Sequence, residues 1–197
     1  PVVMPWVDEP AAILESYLGG QASGGAVVDV LYGEVEPAGR LAETFPMRRT
    51  DVASDPYFPG DPHQVEYREG LSVGYRHFTS AGIKPLFPFG HGLGYSQFEI
   101  GAPVGASDLA AGSDLTLTIP VRNVGQRDGS TVVQVYLRDR TGRVSRPRRE
   151  LGGFVKVRLT AGQATEASVV VPARAFAFYD VDSAGWLTPD GDFEVEV

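Results

Sequence analysis

The chain has 197 residues, of which 43% are hydrophobic and 21% charged, and a formal net charge of -8. This composition supports a packed core and argues against nucleic acid as a partner, because phosphate binding needs concentrated Lys and Arg. The lack of cysteine excludes disulfides and thiolate chemistry but leaves the cellular compartment open. No apolar run approaches membrane-spanning length, so we expect no membrane partner.

Residues 1–46 alternate apolar segments with glycine clusters. Val2 to Met4 and Ala12 to Leu18 are typical of short buried strands, whereas the apolar spacing of Ala26 to Tyr32 predicts a helix that ends near Gly33. Two strands and one helix cannot cover both faces of a parallel sheet. We therefore expect a piece of an α/β domain, with most of that domain outside this chain.

Residues 47–94 are dense in proline, glycine and aromatic side chains and have little periodicity. Aromatic rings bury large areas, and prolines lower the entropy cost of ordering a segment. We interpret this stretch as an ordered connector whose rings pack against the flanking domains. A platform on which sugars stack is the alternative.

From Tyr95 onwards the hydrophobic period becomes two residues, which predicts strands with one buried face. About seven short strands over roughly a hundred residues predict an immunoglobulin-like or fibronectin III-like sandwich. The basic run Arg146 to Arg149, interrupted by Pro147, is expected at a solvated strand edge. The predicted strands include the alternating residues of 115–121, 133–138, 155–159, 169–171 and 193–197.

Metal chemistry has little support in this sequence. His63, His77 and His91 are far apart, and no cysteine is available, so we expect neither a metal site nor a cofactor. Asp180 and Asp182 resemble the start of a calcium loop, but the later ligand positions lack oxygen donors, and a hairpin explains these residues better.

The glycine cluster of residues 19–25 follows a predicted strand and opens a predicted helix. At this place α/β proteins present backbone N–H groups to ligands. Close packing of the loop is the alternative use of these glycines.

Longer motifs resemble family 3 glycoside hydrolases. The first set resembles the last strand-loop-helix segment of that family, although Gly19 stands where the family has proline and Ala22 where it often has glutamate. Two further sets resemble the family's connector and its fibronectin III-like domain. In chain order the motifs are Gly20-Gln21, Gly24 to Ala26, Asp29 to Gly33, Pro37 to Leu41, Thr44 to Pro46, Tyr67 to Gly70, Val73 to Arg76, Pro85 to Gly90, Gly92 to Ser96, Val121 to Gly125, Val132 to Asp139, Arg146 to Phe154, Leu159 to Gly162 and Gly191 to Val195.

The resemblance implies a retaining hydrolase of terminal β-linked sugars, with β-glucosidase as the best expectation. Such enzymes use two carboxylates about 5 Å apart. In the family these are an aspartate of a barrel and a glutamate upstream of the glycine cluster, and neither motif occurs here. We therefore expect no catalytic residue in this chain, and we name Trp6, Gly20 and Gln21 as candidates for positions near the substrate. The acidic residues that match no catalytic motif are Glu9, Glu15, Asp29, Glu34 and Glu43.

The predicted fold class is mixed: a strand-loop-helix piece of an α/β sandwich over residues 1–46, the connector over 47–94, and an all-β fibronectin III-like sandwich over 95–197. The predicted partners are the N-terminal barrel and the rest of the α/β sandwich, as a second chain or a missing segment, and a β-linked glucoside or oligosaccharide. The alternative function is a non-catalytic module that binds carbohydrate or protein.

Overall fold

The computed structural model describes residues 1–197. The helices are α1 (Ser23–Leu31) and α2 (Tyr75–Ala81), and short 3-10 helices lie at Arg49–Asp51, Asp55–Tyr57 and Ala173–Phe176. The strands are β1 (Phe98–Ile100), β2 (Val104–Gly105), β3 (Leu115–Asn123), β4 (Gly129–Asp139), β5 (Glu150–Leu159), β6 (Ala164–Val171), β7 (Phe178–Asp180), β8 (Gly185–Leu187) and β9 (Phe193–Glu196). Neither α-helix has the length and apolarity needed to cross a bilayer.

Two antiparallel sheets form the sandwich. In the first sheet, β3 pairs with β6 along one edge and with β1 and β2 along the other. In the second sheet, β4 lies between β5 and β9. A separate hairpin joins β7 to β8. The predicted fibronectin III-like sandwich is confirmed.

The core of the molecule lies between these two sheets. Along β3 every second side chain is buried, as the period-two pattern predicts. A cluster of 12 buried side chains fills the space between the sheets, and β3, β4 and β6 supply most of it. Its members are Leu115, Leu117, Ile119, Val121, Val133, Val135, Leu137, Leu159, Ala167, Val169, Val171 and Phe176.

Strand β4 departs from strict alternation near its end. The register with β5 shifts between Val135 and Tyr136, and Val135, Tyr136 and Leu137 are buried in succession. The sequence pattern places Tyr136 on the outer face of the sheet. This side chain is nevertheless only 8% exposed, because the connector covers that face.

The predicted strands at Val2–Met4 and Ala12–Leu18 do not form. Residues 1–22 contain no strand, and of these two segments only Met4 is buried. A strand exists only where a neighbour accepts and donates its backbone hydrogen bonds, and no segment of this chain pairs with residues 1–22. The predicted helix does form as α1, three residues earlier at its start than the apolar pattern indicates.

In the basic run Arg146 to Arg149, the first residue does not lie at a solvated strand edge as predicted. The side chain of Arg146 is 12% exposed and forms an ion pair with Glu150 at 2.7 Å. It also donates to the carbonyl oxygens of Ala175 and Phe176 at 2.9 and 3.3 Å. Arg148, by contrast, is exposed as predicted. The sequence did not reveal these distant carbonyls, which lie in the 3-10 helix after β6.

Candidate functional site

The glycine cluster lies at the N-terminal end of α1. A Cβ atom on Gly19 would clash with the Cβ atom of Ser23, so close packing of the loop explains Gly19. Gly20, by contrast, has open space around it, and its carbonyl accepts a hydrogen bond from the Ser23 N–H at 3.0 Å. The side chain of Gln21 is exposed. The cluster therefore combines one packing glycine with an open loop surface.

Trp6 lies in a turn of the N-terminal segment and is 42% exposed. Its carbonyl accepts a hydrogen bond from the N–H of Glu9 at 2.9 Å. No hydrogen bond joins Trp6 to Gly20 or Gln21. The structure thus places the three candidate residues on the surface of the same N-terminal segment, without direct polar contact between Trp6 and the loop.

The acidic residues of this segment do not form a facing pair. Glu9, Asp29 and Glu34 are exposed and accept no side-chain hydrogen bond. The Glu15 carboxylate accepts the N–H of Tyr17 at 2.7 Å, and Glu43 pairs with the terminal amine at 3.0 Å. None of these contacts brings two carboxylates together across a cleft.

Glu36 joins the N-terminal segment to the sandwich. One carboxylate oxygen accepts the N–H of Ser96 at 3.2 Å, and the other accepts the N–H of Ser130 at 2.6 Å. Arg40, four residues on, donates to the hydroxyl of Thr131 at 3.3 Å. Burial lowers the pKa of Arg40, while the nearby charge of Glu36 acts in the opposite direction. Both side chains hold the loop after α1 against the first residues of β4.

Aromatic rings join the connector to the same strand. Tyr75 stacks on Phe89 with ring centroids 4.9 Å apart and meets Tyr136 edge-on at 5.7 Å. The Tyr75 hydroxyl accepts the N–H of Leu151 at 2.7 Å. Burial raises the pKa of Tyr136 to about 12, Tyr75 adds to this rise, and Arg149 opposes it. The prediction that connector rings pack on a flanking domain is confirmed for Tyr75, whereas Phe89 stacks on Tyr75 within the connector.

The histidines and the aspartate hairpin have structural contacts. His91 stacks on Phe87 with centroids 5.2 Å apart, and His77 meets Phe78 edge-on at 5.7 Å. No group of three or more His, Asp or Glu side chains is arranged to hold a metal ion. Asp180 accepts hydrogen bonds from Ser183 within the β7–β8 hairpin, and these bonds lower the pKa of Asp180. The hairpin expected at this position is confirmed.

Sequence reasoning missed Glu36 and Arg40 as linking residues. Arg40 occurs in a motif that carries the family resemblance, so a functional contact could have been suspected there. Glu36 stands just before that motif and had no such signal. Its two backbone partners are 60 and 94 residues away in the chain, and only the folded structure brings them together.

Comparisons with known proteins agree with this architecture. A family model described as the glycosyl hydrolase family 3 C-terminal domain matches residues 1–95, and one described as a fibronectin type III-like domain matches residues 131–197. Among curated relatives, thermostable beta-glucosidase B of Acetivibrio thermocellus is 46% identical over 98% of this chain. A beta-glucosidase of Rhizobium radiobacter is 42% identical over 100% of it.

Solved structures give the same result. The β-glucosidase DesR from Streptomyces venezuelae, determined in complex with D-glucose, superposes with a TM-score of 0.91 at 40% identity over 98% of this chain. The family 3 β-glucosidase of Bifidobacterium adolescentis also superposes at 0.91, with 39% identity over 98% of this chain. The chain covers 25% and 28% of these two structures, and 26% and 25% of the two curated relatives.

The fold defines a class of protein region: a segment with two short α-helices and no strand of its own precedes a fibronectin III-like sandwich, against which Glu36, Arg40 and Tyr75 hold it. The chain belongs to glycoside hydrolase family 3 and matches the C-terminal part of proteins of that family. The mixed fold class predicted from the sequence is thereby confirmed. The chain spans about a quarter of the length of the curated relatives it matches.

Proposed function

We propose that this chain is the C-terminal scaffold of a retaining β-glucosidase that removes terminal β-D-glucosyl residues from the non-reducing ends of its substrates. The observation that carries this proposal is the 46% identity to a β-glucosidase across 98% of the chain. The superposition on a β-glucosidase that binds D-glucose, at a TM-score of 0.91, supports glucose as the sugar.

In this proposal both catalytic carboxylates lie outside the chain. The exposed and separate positions of Glu9, Glu15, Asp29 and Glu34 support this assignment, because retaining hydrolysis needs two carboxyl groups about 5 Å apart. We assign residues 1–46 to the end of the α/β sandwich, 47–94 to the connector and 95–197 to the fibronectin III-like domain. The barrel and the rest of the α/β sandwich are the partners of this chain.

The scaffold acts on catalysis by positioning. If one carboxylate comes from the barrel and the other from the α/β sandwich, their separation depends on how the two domains are held together. Misplacement of reacting groups by about 1 Å can reduce a rate about a hundredfold. The contacts of Glu36 and Arg40 hold the α/β segment against the fibronectin III-like domain, and those of Tyr75 hold the connector against it.

An aryl β-glucoside assay tests this proposal. The isolated chain is expected to give no turnover, and turnover is expected when the portion of the protein that precedes it is present. Turnover by the isolated chain would show that it contains its own catalytic pair. A complete protein that binds glucosides without hydrolysing them would instead favour a binding module.

The assignment of Gln21 to the neighbourhood of the substrate has its own test. In the complete protein, Gln21→Ala is expected to raise KM or lower kcat for the aryl β-glucoside. The matched control is Gln126→Ala, which changes an exposed glutamine in the turn between β3 and β4. Equal kinetics for the two variants would remove Gln21 from the substrate site.

A further inference from the structure

A cavity of about 470 Å³ lies between residues 42–44, the first 3-10 helices of the connector and the start of α2. Its wall is largely apolar, with Val52, Val73, Phe78 and Phe89 among the lining side chains. Thr44, Glu69 and Arg76 also line it. Pockets that combine an apolar wall with a few convergent polar groups are the usual form of a binding site.

Three polar atoms of this cavity are buried without a hydrogen-bond partner: the hydroxyl oxygen of Thr44, one carboxylate oxygen of Glu69 and the Nε atom of Arg76. Thr44 as a whole is only 5% exposed. A buried polar group without a partner costs free energy, and a buried charge without a counter-charge costs more. Two of these atoms, the Thr44 hydroxyl oxygen and the Glu69 oxygen, accept hydrogen bonds, which indicates that a hydrogen-bond donor completes this side of the cavity, whereas Arg76 Nε is itself a donor.

The charged side chains around the cavity indicate the charge of the group that completes it. No ion pair of the chain includes Glu69, while Arg76 already pairs with Glu150 at 3.7 Å. The other lining carboxylate, Glu43, pairs only with the terminal amine of Pro1, which a longer chain would replace with a neutral amide. The cavity therefore has unpaired negative charge that a cation complements.

We propose that an arginine side chain from the preceding part of the complete protein enters this cavity and pairs with Glu69. A guanidinium carries several N–H donors in a planar fork, so it can serve Glu69 and also reach the Thr44 hydroxyl and Glu43. This inference rests on the proposed function, since it takes the partner from the remaining three quarters of the protein. It places a docking point of the C-terminal part beside α2.

The exposed surface of the connector supports a docking role. The connector, which supplies most of the cavity wall, exposes large apolar side chains that no part of this chain covers. These are Phe58, Val65, Tyr67, Leu71 and Val73, which are 69%, 54%, 84%, 59% and 57% exposed. Several exposed apolar side chains on the segment that lines a charged cavity are typical of an interaction surface.

Glu69→Gln gives opposite expectations for the isolated chain and for the complete protein. In the isolated chain it removes an uncompensated buried charge, so the unfolding temperature is expected to stay the same or rise. In the complete protein it breaks a buried ion pair, so the unfolding temperature is expected to fall. If the chain and the preceding portion are prepared separately, the dissociation constant of their complex is expected to rise about thirtyfold or more.

Glu66→Gln is the matched control, because Glu66 lies three residues upstream and pairs with Arg68 at the surface. It is expected to change neither the unfolding temperatures nor the association. Thr44→Val provides a second variant, which removes the buried hydroxyl at nearly constant volume. It is expected to leave the isolated chain intact and to weaken the complete protein.

Two results would overturn the inference. If Glu69→Gln destabilises the isolated chain as much as the complete protein, the partner of Glu69 lies within these 197 residues. If the variant changes neither, the cavity is filled by solvent or by a small free cation. Hydrolysis of the aryl β-glucoside is measured separately, so a stable complete protein without turnover would contradict the proposed function and leave the docking point intact.

Discussion

The side chain of Tyr136 is packed by residues of both the connector and the sandwich. The ring is 8% exposed, Tyr75 meets it edge-on, and the Arg149 guanidinium lies 5.0 Å from its centroid. Its hydroxyl donates to the side-chain oxygen of Gln134 at 2.9 Å. A phenolate at this place would lose its solvation, so the folded protein favours the neutral ring.

The pH dependence of stability follows from this preference. Burial raises the pKa of Tyr136 to about 12, whereas a tyrosine in the unfolded chain titrates near pH 10. Between about pH 10 and 12 the folded state therefore binds more protons than the unfolded state, and stability falls as pH rises. We expect Tyr136→Phe to show a shallower loss of stability over this range, measured as the urea midpoint at each pH.

Tyr179→Phe is the control for this measurement, because Tyr179 is 50% exposed. It is expected to follow the wild-type profile. Parallel profiles for Tyr136→Phe and Tyr179→Phe would contradict the role assigned to burial of Tyr136.

Glu36 is the second residue whose substitution has a definite expected effect. Glu36→Gln keeps one acceptor oxygen but turns an NH2 group towards a backbone N–H that the carboxylate now satisfies. We expect a loss of about 1–3 kcal/mol in the free energy of unfolding, measured by urea denaturation. Glu34→Gln, which alters an exposed side chain two residues away, is expected to have almost no effect. Equal urea midpoints for Glu36→Gln and Glu34→Gln would show that Glu36 does not stabilise the contact between the N-terminal segment and the sandwich.

Among the elements of the sandwich, the end of β4, the start of β5 and the 3-10 helix after β6 meet at Arg146. Its guanidinium lies 2.7 Å from Glu150 and 3.8 Å from Asp139, besides its bonds to the carbonyls of Ala175 and Phe176. The aspartate and the glutamate lie at the ends of neighbouring strands. One buried cation thus holds three elements together.

Removing this cation leaves Asp139 without a counter-charge and leaves Glu150 with only its 3.7 Å ion pair to Arg76. We expect Arg146→Ala to reduce the free energy of unfolding by about 3–5 kcal/mol, measured by thermal or urea denaturation. Arg148→Ala is the control, because Arg148 is exposed and its side chain makes no hydrogen bond. A similarly small effect of both variants would contradict the linking role of Arg146.

At the scale of the whole molecule, the two parts of the chain differ in how much of their surface is covered. The sandwich has a closed core of 12 side chains, whereas α1 has no buried residue. On and beside α1, the side chains of Val28, Leu31 and Tyr32 are 50%, 65% and 82% exposed. A nine-residue helix without packing is marginal in water.

Hydrogen exchange is expected to reveal this difference. In the isolated chain, amides of α1 should exchange much faster than those of β3, β4 and β6. In the complete protein the same α1 amides should become protected, because the remainder of the α/β sandwich would cover the helix. Mass spectrometry of peptides from both regions measures this. Equal, strong protection of α1 in the isolated chain would show that the helix needs no further partner.

The sequence alone determined the architecture wherever a local pattern reflects burial. The period-two pattern of β3, β4, β5, β6 and β9 located these strands, and the apolar spacing of residues 26–32 located α1 to within three residues at its start. The ordered motifs carried the family resemblance, which the comparisons confirm. These features depend on neighbours in sequence, so sequence is enough to find them.

Only the tertiary structure decided which side chains meet across long distances in the chain. The segments Val2–Met4 and Ala12–Leu18 have the composition of strands but find no pairing edge here, and strand formation depends on that edge. The alternation in β4 predicts that Tyr136 faces outward, yet the connector buries it. Arg146 belongs to a basic run that predicts exposure, yet its side chain is only 12% exposed beside the 3-10 helix. The partners of Glu36 and the cavity beside Glu69 likewise arise only when the chain folds, because electrostatics and burial depend on distance in space.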